Sequence, residues 1–507
     1  MTTSANWLIL VLTVGCAAST SADENWPQFR GPNASGVATS NRALPSQLRL
    51  DQNLVWKTAI PHGVSSPSVW KDRVFLTGHN KEQQELVTVC LDSNSGAMLW
   101  QRGTVLPKIP PTHNSGSPAA PSTSTDGQRL YVYFGLTGLT CYDFDGNQIW
   151  KKALPVPHNR HGASSSPILV GDLLVLVCDQ GELFQSMGSY VLALNKHTGS
   201  EIWRKERALA GAGWSTPLVW SHDKSRELIV MGRRLIAYDT VSGEPRWWVD
   251  GMIDYALATP VLGDGLLFAA TAAGGFESEL RITLPSFAEI MRLHDVNQDR
   301  RLVRDELPSE MVFYKGDTTG LPGDGVSARE AFAMFDGNQD EFVDAAEWDG
   351  AIGLWNQMEN VLIAVRPGGE GDVTKSHIVW KTGRHLPEVP SPLYYKGHLY
   401  MVKNGGIVSC LDAGSGKLVY RKRLGATGNY FASPIAGDDK VYIASDLGVL
   451  TILQAGETPK ILSRNDLGEP IIATPAIAHG KLFARTAKHL YCFEAARFTE
   501  KPTVDAD

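Results

Sequence analysis

The 507-residue chain is short of cysteine, with six, and none stands in a Cys-x-x-Cys-His arrangement, so it offers no attachment site for haem. It has no stripe of Lys and Arg of the kind that tracks a phosphate backbone, which argues against nucleic acid as a partner. After residue 22 no segment has the length and apolarity of a membrane-spanning helix. Charged residues make up 20% and hydrophobic ones 43%, and there are 49 glycines. That balance describes a turn-rich globular chain with a real core, not a disordered or fibrous one.

Residues 1–22 read as a signal peptide. An apolar run from Trp7 to Gly15, with no Lys or Arg ahead of it, is followed by small residues ending Thr20-Ser21-Ala22. Val14-Gly15-Cys16 half-resembles a lipoprotein cleavage site, but Thr13 stands where an aliphatic residue is usual, so lipidation at Cys16 is the secondary reading. The expected location is periplasmic or extracellular. For an exported chain the cysteines suggest disulfides, but Cys90, Cys141, Cys410 and Cys492 share one strand slot that holds Ala193, Ala237 and Ala364 elsewhere. A slot that selects a small buried residue implies reduced, inert thiols.

A repeat organises the sequence. Ser/Thr/Ala-Pro pairs recur with prolines at 67, 121, 167, 217, 260, 392, 434 and 475, spaced by 54, 46, 50, 43, 132, 42 and 41 residues. Within each repeat, short strands alternate with turns, and an aromatic residue follows a turn glycine by four, as in Gly96/Trp100, Gly146/Trp150, Gly199/Trp203, Gly243/Trp247 and Gly416/Tyr420. Aromatics at repeat spacing predict packing between neighbouring units. The last opening has only two further strands after it, and Leu54-Val-Trp-Lys-Thr near the N-terminus supplies the missing one. The expected fold is therefore all-β, an eight-bladed β-propeller over 23–274 and 360–497 closed by pairing the two chain ends, with a tail at 498–507.

The long gap follows the second strand of the sixth blade and is acidic: residues 285–359 hold 16 Asp and Glu against 6 Lys and Arg. Subtracting that −10 from the formal net charge of −7 leaves the remainder at +3. Within it, Asp295, Asn297, Asp299 and Glu306 occupy positions 1, 3, 5 and 12 of a loop, with the Arg301 carbonyl at position 7 and Leu302 at position 8. A second loop repeats this with Asp336, Asn338, Asp340, Phe342 at position 7, Asp344 at position 9 and Glu347. Both loops resemble EF-hands, flanked by apolar helical patterns, so 275–359 is an expected EF-hand pair and calcium the expected ion. Arg300 and Glu341 replace the usual glycine at position 6, which weakens affinity. The alternative is a solvated acidic hairpin without an ion.

Leu91–Trp100 and Leu194–Trp203 carry a Leu-Asp/Asn-x-x-Ser/Thr-Gly-x-x-x-Trp text. The chain thereby resembles the pyrroloquinoline-quinone-like (PQQ-like) propeller repeat family, and Trp26-Pro-Gln-Phe-Arg-Gly-Pro-Asn33 is similar to the opening of exported members. The resemblance implies the fold. It leaves function open, because the family holds both quinone-dependent dehydrogenases and non-enzymatic scaffolds.

Connections between second and third strands lie on the same propeller face as the loops between blades, so the insert is expected over that face. The loops there hold His62, His113, Asn114, His158, His161, Trp214, Tyr255, His385, Glu388, Asn429 and Tyr430, a candidate ligand or cofactor rim. Loops facing water are also polar for that reason alone. Adjacent cysteines, which many quinone enzymes of the family stack on the cofactor, are absent. The favoured reading is a monomeric calcium-binding scaffold, not an enzyme, that receives a cell-envelope protein or carbohydrate. A PQQ-dependent dehydrogenase is the alternative, and a metal-dependent enzyme using the rim histidines the third.

Overall fold

The computed structural model describes residues 24–496, apart from residues 41, 113–115, 160, 183–184, 224, 254, 273–283, 313–326, 330 and 339. The expected signal peptide with Cys16, the tail at 498–507, and the rim residues His113 and Asn114 lie outside the described residues. Eight sheets, each built on four antiparallel strands running outward from the axis and one of them carrying a fifth, parallel strand, form an eight-bladed propeller. Blade one closes the ring: Ala476–Ala478, Lys481–Arg485 and His489–Glu494 take Leu54–Ala59 as their outer strand, with Lys57 opposite Tyr491.

Blade two, Ser68–Trp70, Arg73–Asn80, Glu85–Asp92 and Met98–Val105, shows the unit. Its second and third strands are almost wholly buried, while the outer strand alternates, because inner strands are sandwiched by neighbours on both faces. The slot expected to hold a small residue lies opposite the aromatic of the outer strand, pairing Cys90 with Trp100, Cys141 with Trp150, Ala193 with Trp203 and Ala364 with Trp380. Beside the slot the register slips by one residue, a bulge that increases the twist. The five described cysteines are buried and free.

Each docked tryptophan reaches into the next blade. The Nε1–H of Trp56, Trp100, Trp150, Trp203 and Trp380 donates to the carbonyls of Ser93, Phe144, Lys196, Thr240 and Ala413, at 2.8–3.3 Å. The indole lies on the following blade's turn glycine; at Gly416 (φ +69°) a Cβ would stand 2.5 Å from the Trp380 ring. Glycine is thus required twice over there, for the left-handed backbone and for the room. Trp247 departs from this pattern. Its indole donates to Glu227 within its own blade at 3.0 Å, and Gly371–Asp372 from blade six pairs in parallel with Trp247 and Trp248.

Around the axis, the residue two before each inner strand is Ser or Thr, and its hydroxyl accepts the backbone N–H of the equivalent residue one blade earlier. Seven such links run from Ser66 through Ser122, Ser166, Thr216, Thr259, Ser391 and Ser433 to Thr474, at 2.9–3.3 Å. This register corrects the second opening, that of blade three. The unit there begins at Ser122-Thr123, since Ser124 pairs with Tyr131 as Ser68 pairs with Phe75, and Pro121 lies two residues upstream.

Residues 26–37 lie across the inner strands. Trp26 bridges Val69, the Pro27 carbonyl accepts from Thr125, the Asn33 side chain pairs with both backbone groups of Val219, and Val37 bridges Ala436. These contacts satisfy inner edges that would otherwise face the channel unpaired. The insert has helices at Phe287–His294, Phe332–Phe335 and Ala345–Gln357, and a 3-10 turn at Arg304–Glu306. Its core gathers Ile290, Leu302, Phe335, Val343, Trp348 and Trp355, with Phe335 stacked 4.4 Å from Trp348.

Candidate functional site

The two acidic loops of the insert are joined back to back. Leu302 and Val343, each at position 8, exchange backbone hydrogen bonds of 3.2 and 2.8 Å. In the first loop Asp295 accepts from the Arg300 N–H at 3.1 Å, and the two oxygens of Glu306 accept from Val296 and Val303. The second loop does the same: Asp336 accepts from Asp340 and Glu341, Glu347 from Asn338 and Asp344, and Asp344 from Glu347. Asn297 and Asn338 accept from the N–H two residues on, as do Asp299 and Asp340, the last two taking Arg301 and Phe342.

These bonds curl each loop so that carboxylate and amide oxygens line its inside, and Arg300 and Glu341 take the strained position with φ of 68° and 69°. Asp295 Oδ1 is buried with no hydrogen-bond partner, an orphaned anionic oxygen that a hard cation would satisfy. By donor type and spacing the loops therefore fit calcium, with Asp295, Asn297, Asp299, Glu306 and the Arg301 carbonyl in one, and Asp336, Asn338, Asp340, Asp344, Glu347 and the Phe342 carbonyl in the other. Among the described residues, no three His, Cys, Asp or Glu side chains are already drawn together into a metal-holding group.

The rim residues fall into separate groups. His62 faces His79, which no repeat pattern singled out: the His79 N–H donates to the His62 carbonyl at 2.7 Å, and the rings meet edge-on at 5.1 Å. Beneath them Arg485 is fully buried and donates to the carbonyls of Pro61, Ser65 and Thr77. Burial, then the charge of Arg485, lowers the His62 pKa; burial, then His62 and Arg485, pulls His79 down to about 4. The sequence signal was an arginine closing a strand, Lys481-Leu-Phe-Ala-Arg485, at the position occupied by Thr77 and Tyr133 in the next two blades.

A second group is aromatic. His161 meets Trp214 edge-on at 5.2 Å, and Trp214 meets Tyr255 at 5.3 Å, so rings from three successive inter-blade loops form one row. The Trp214 indole donates to the Gly162 carbonyl at 2.8 Å. His158 is exposed at the edge, its N–H donating to Gln180. At its other end the row meets the insert, whose core includes Ile253 and packs against Tyr255.

The remaining candidates are dispersed. His385 is bonded to Arg421, and burial followed by the Arg421 charge lowers its pKa. Glu388 is half-buried in the same loop. Asn429 is clamped by both oxygens of Asp446, and Tyr430 is buried, its hydroxyl donating to Ala426 at 2.9 Å. Asn429 and Tyr430 hold loops together; a hydrogen-bond pattern between loops, not residue type, would have been needed to foresee that.

Residues 48–190, 83–219, 187–278 and 404–498 match the sequence model of a family described as outer membrane protein assembly factor BamB, together more than half of the chain. Among solved structures, BamB from Moraxella catarrhalis aligns over 87% of this chain and 99% of its own, at 11% identity and a TM-score of 0.51. The quinohemoprotein alcohol dehydrogenase from Comamonas testosteroni aligns over 95% and 83%, at 11% identity and 0.56. A europium-containing methanol dehydrogenase aligns over 93% and 98%, at 12% identity and 0.53. At such identities these likenesses establish the fold alone. No curated protein matches the chain.

Proposed function

The chain belongs to the family described as outer membrane protein assembly factor BamB, and on that premise we propose that it is an exported, calcium-binding propeller that serves as a non-enzymatic scaffold for a protein partner in the cell envelope. The observation that carries the reading is the position of the acidic insert. Its core packs on Ile253 and Tyr255 of an inter-blade loop, beside the aromatic row. A scaffold needs a shaped, multi-loop face, and the row joins rings from three successive inter-blade loops into one. Among the described residues every cysteine is buried, with burial pushing thiols such as Cys90 up to about 12, so these cysteines offer no stacking surface for a quinone on the rim.

When bound, calcium would fasten the two loops to each other and thereby stiffen the helices that carry the insert's core. Glu306 and Glu347 would each supply the position-12 carboxylate, and the orphaned Oδ1 of Asp295 would gain a partner. The test is the calcium dependence of thermal unfolding. Calcium at about 100 times its dissociation constant should stabilise the protein by about 2.7 kcal/mol, and Glu306→Gln and Glu347→Gln should each diminish that gain. A parent protein whose melting temperature ignores calcium would end the calcium reading. A stoichiometric quinone chromophore with alcohol oxidation would replace the scaffold by an oxidoreductase, and bound zinc or iron would point to the histidines instead.

A further inference from the structure

From the insert to the rim there is an unbroken run of packed rings and aliphatic side chains. Phe335 stacks on Trp348, both belong to a core that includes Ile253, and that core packs against Tyr255. Tyr255 touches Trp214, and Trp214 touches His161 two blades away from the insert. Backbone bonds reinforce the side chains. The carbonyl of Ala256, next to Tyr255, accepts from both Trp214 and Ser215, and the N–H of Ile253 donates to the Thr271 hydroxyl at the root of the insert.

The two ends of this run differ in how firmly they are held. Trp214 is 6% exposed and tied at both its backbone and its indole. Tyr255 is half-buried, wedged between the insert's core and Trp214, so its ring is placed by whichever arrangement that core adopts. The calcium loops lie within the same small core: position-8 residues Leu302 and Val343 are fully buried in it, and Trp348 follows Glu347 directly. Drawing Glu306 and Glu347 onto an ion must therefore move or stiffen residues that Tyr255 packs against.

We propose that the insert is a calcium-dependent regulator of the rim, with Tyr255 as the residue through which the ion's occupancy orders Trp214 and the His161 loop of blades three to five. The proposal rests on the calcium reading above and adds to it a direction and a route. Calcium binding lowers the mobility of the ledge formed by His161, Trp214 and Tyr255, so a partner that docks there meets a preorganised surface. By reciprocity, a partner held on that ledge raises the calcium affinity by the same factor by which calcium raises the partner's. Tyr255 is a positioning residue here: it holds no ion and acts through the rings on either side.

Amide hydrogen exchange on the intact protein, with and without calcium, tests this. In the parent, calcium should slow exchange in peptides covering 286–306 and 332–348, and also in those covering 158–163 and 211–216, the rim peptides by roughly 3- to 10-fold. In Tyr255→Ala the insert peptides should still respond while the rim peptides no longer do; Tyr255→Phe, which keeps the ring, should behave as the parent. If calcium protects the insert but leaves the rim unchanged in the parent, or if Tyr255→Ala leaves the rim response intact, the coupling is wrong while the calcium sites stand. If calcium protects neither, the calcium reading itself fails and the coupling with it. Should Tyr255→Ala unfold, the parent's rim response and the Glu347→Gln variant, which should weaken the insert and rim responses together, still decide the matter.

Discussion

The seam between blades six and seven and the seam between blades five and six use the same residue in different ways. Trp380 lies across the first, its indole on Gly416 and its N–H on the Ala413 carbonyl. Trp247 has the same place in its own sheet, opposite Ala237 as Trp380 is opposite Ala364, yet it turns its N–H to Glu227, which is also bonded to His222 at 2.9 Å. The difference comes from the neighbour. Blade six has no tight Gly turn between its third and outer strands; the chain there makes a longer excursion, and Gly371–Asp372 straps onto blade five as a fifth strand. A seam in this ring is thus set by what the next blade offers. Where the turn is missing, strand pairing replaces docking.

The comparison breaks most readily at the tryptophans. Trp247→Ala should lose about 4–5 kcal/mol, since it empties a fully buried site and strips a partner from the buried Glu227, whereas Trp380→Ala, at a half-buried position, should lose about 3 kcal/mol. Urea denaturation of the two variants measures this, and a smaller loss at Trp247 would show that the strap, not the indole, holds that seam. The glycines sharpen it. Gly416→Ala adds a clash with Trp380 to the left-handed strain, about 2–3 kcal/mol, while Gly371→Ala, at φ +67° with nothing within 4 Å of its Cβ, should show the strain alone, about 1 kcal/mol. Equal effects would mean that Trp380 yields without cost.

The smallest effect is at the seam of blades one and two, which has a docked Trp56 and also the His62–His79–Arg485 group. Folded His79 titrates near 4 and an unfolded histidine near 6.5, so the unfolded chain takes up the proton first as pH falls. Stability is complete above about 6.5 and declines between there and 4, by about 1 kcal/mol for a ring in partial contact with water. His79→Asn should flatten that part of the profile of melting temperature against pH; an unchanged slope would assign it to other groups.

Much of the ring was readable beforehand. The spacing of the openings marked eight units, the text after the last one showed which strand was missing, and the slot shared by Cys90, Cys141, Ala193 and Ala364 read as one that selects a small buried residue, though the aromatic opposite it emerged only from the strand register. The one misread opening, at Pro121, was drawn by a proline two residues ahead of the true register. The rim was less legible. His161, Trp214 and Tyr255 share one neighbourhood, whereas Asn429 and Tyr430 are fastened to Asp446 and Ala426, and residue type alone could not separate the two cases.

By itself the sequence determined what repeats: strand, turn, small residue and aromatic, because the ladder within a blade joins residues close along the chain, and their alternation records which face is buried. Only the tertiary structure decided the rest. Arg30 meets Pro392 and Asn33 meets Val219 across 362 and 186 residues, and the hydroxyl belt, the strap on blade five and the contact of the insert with Tyr255 likewise join separate blades. Such partners leave no period in the chain. They exist once the ring has closed and brought distant polar groups and apolar faces within reach of one another.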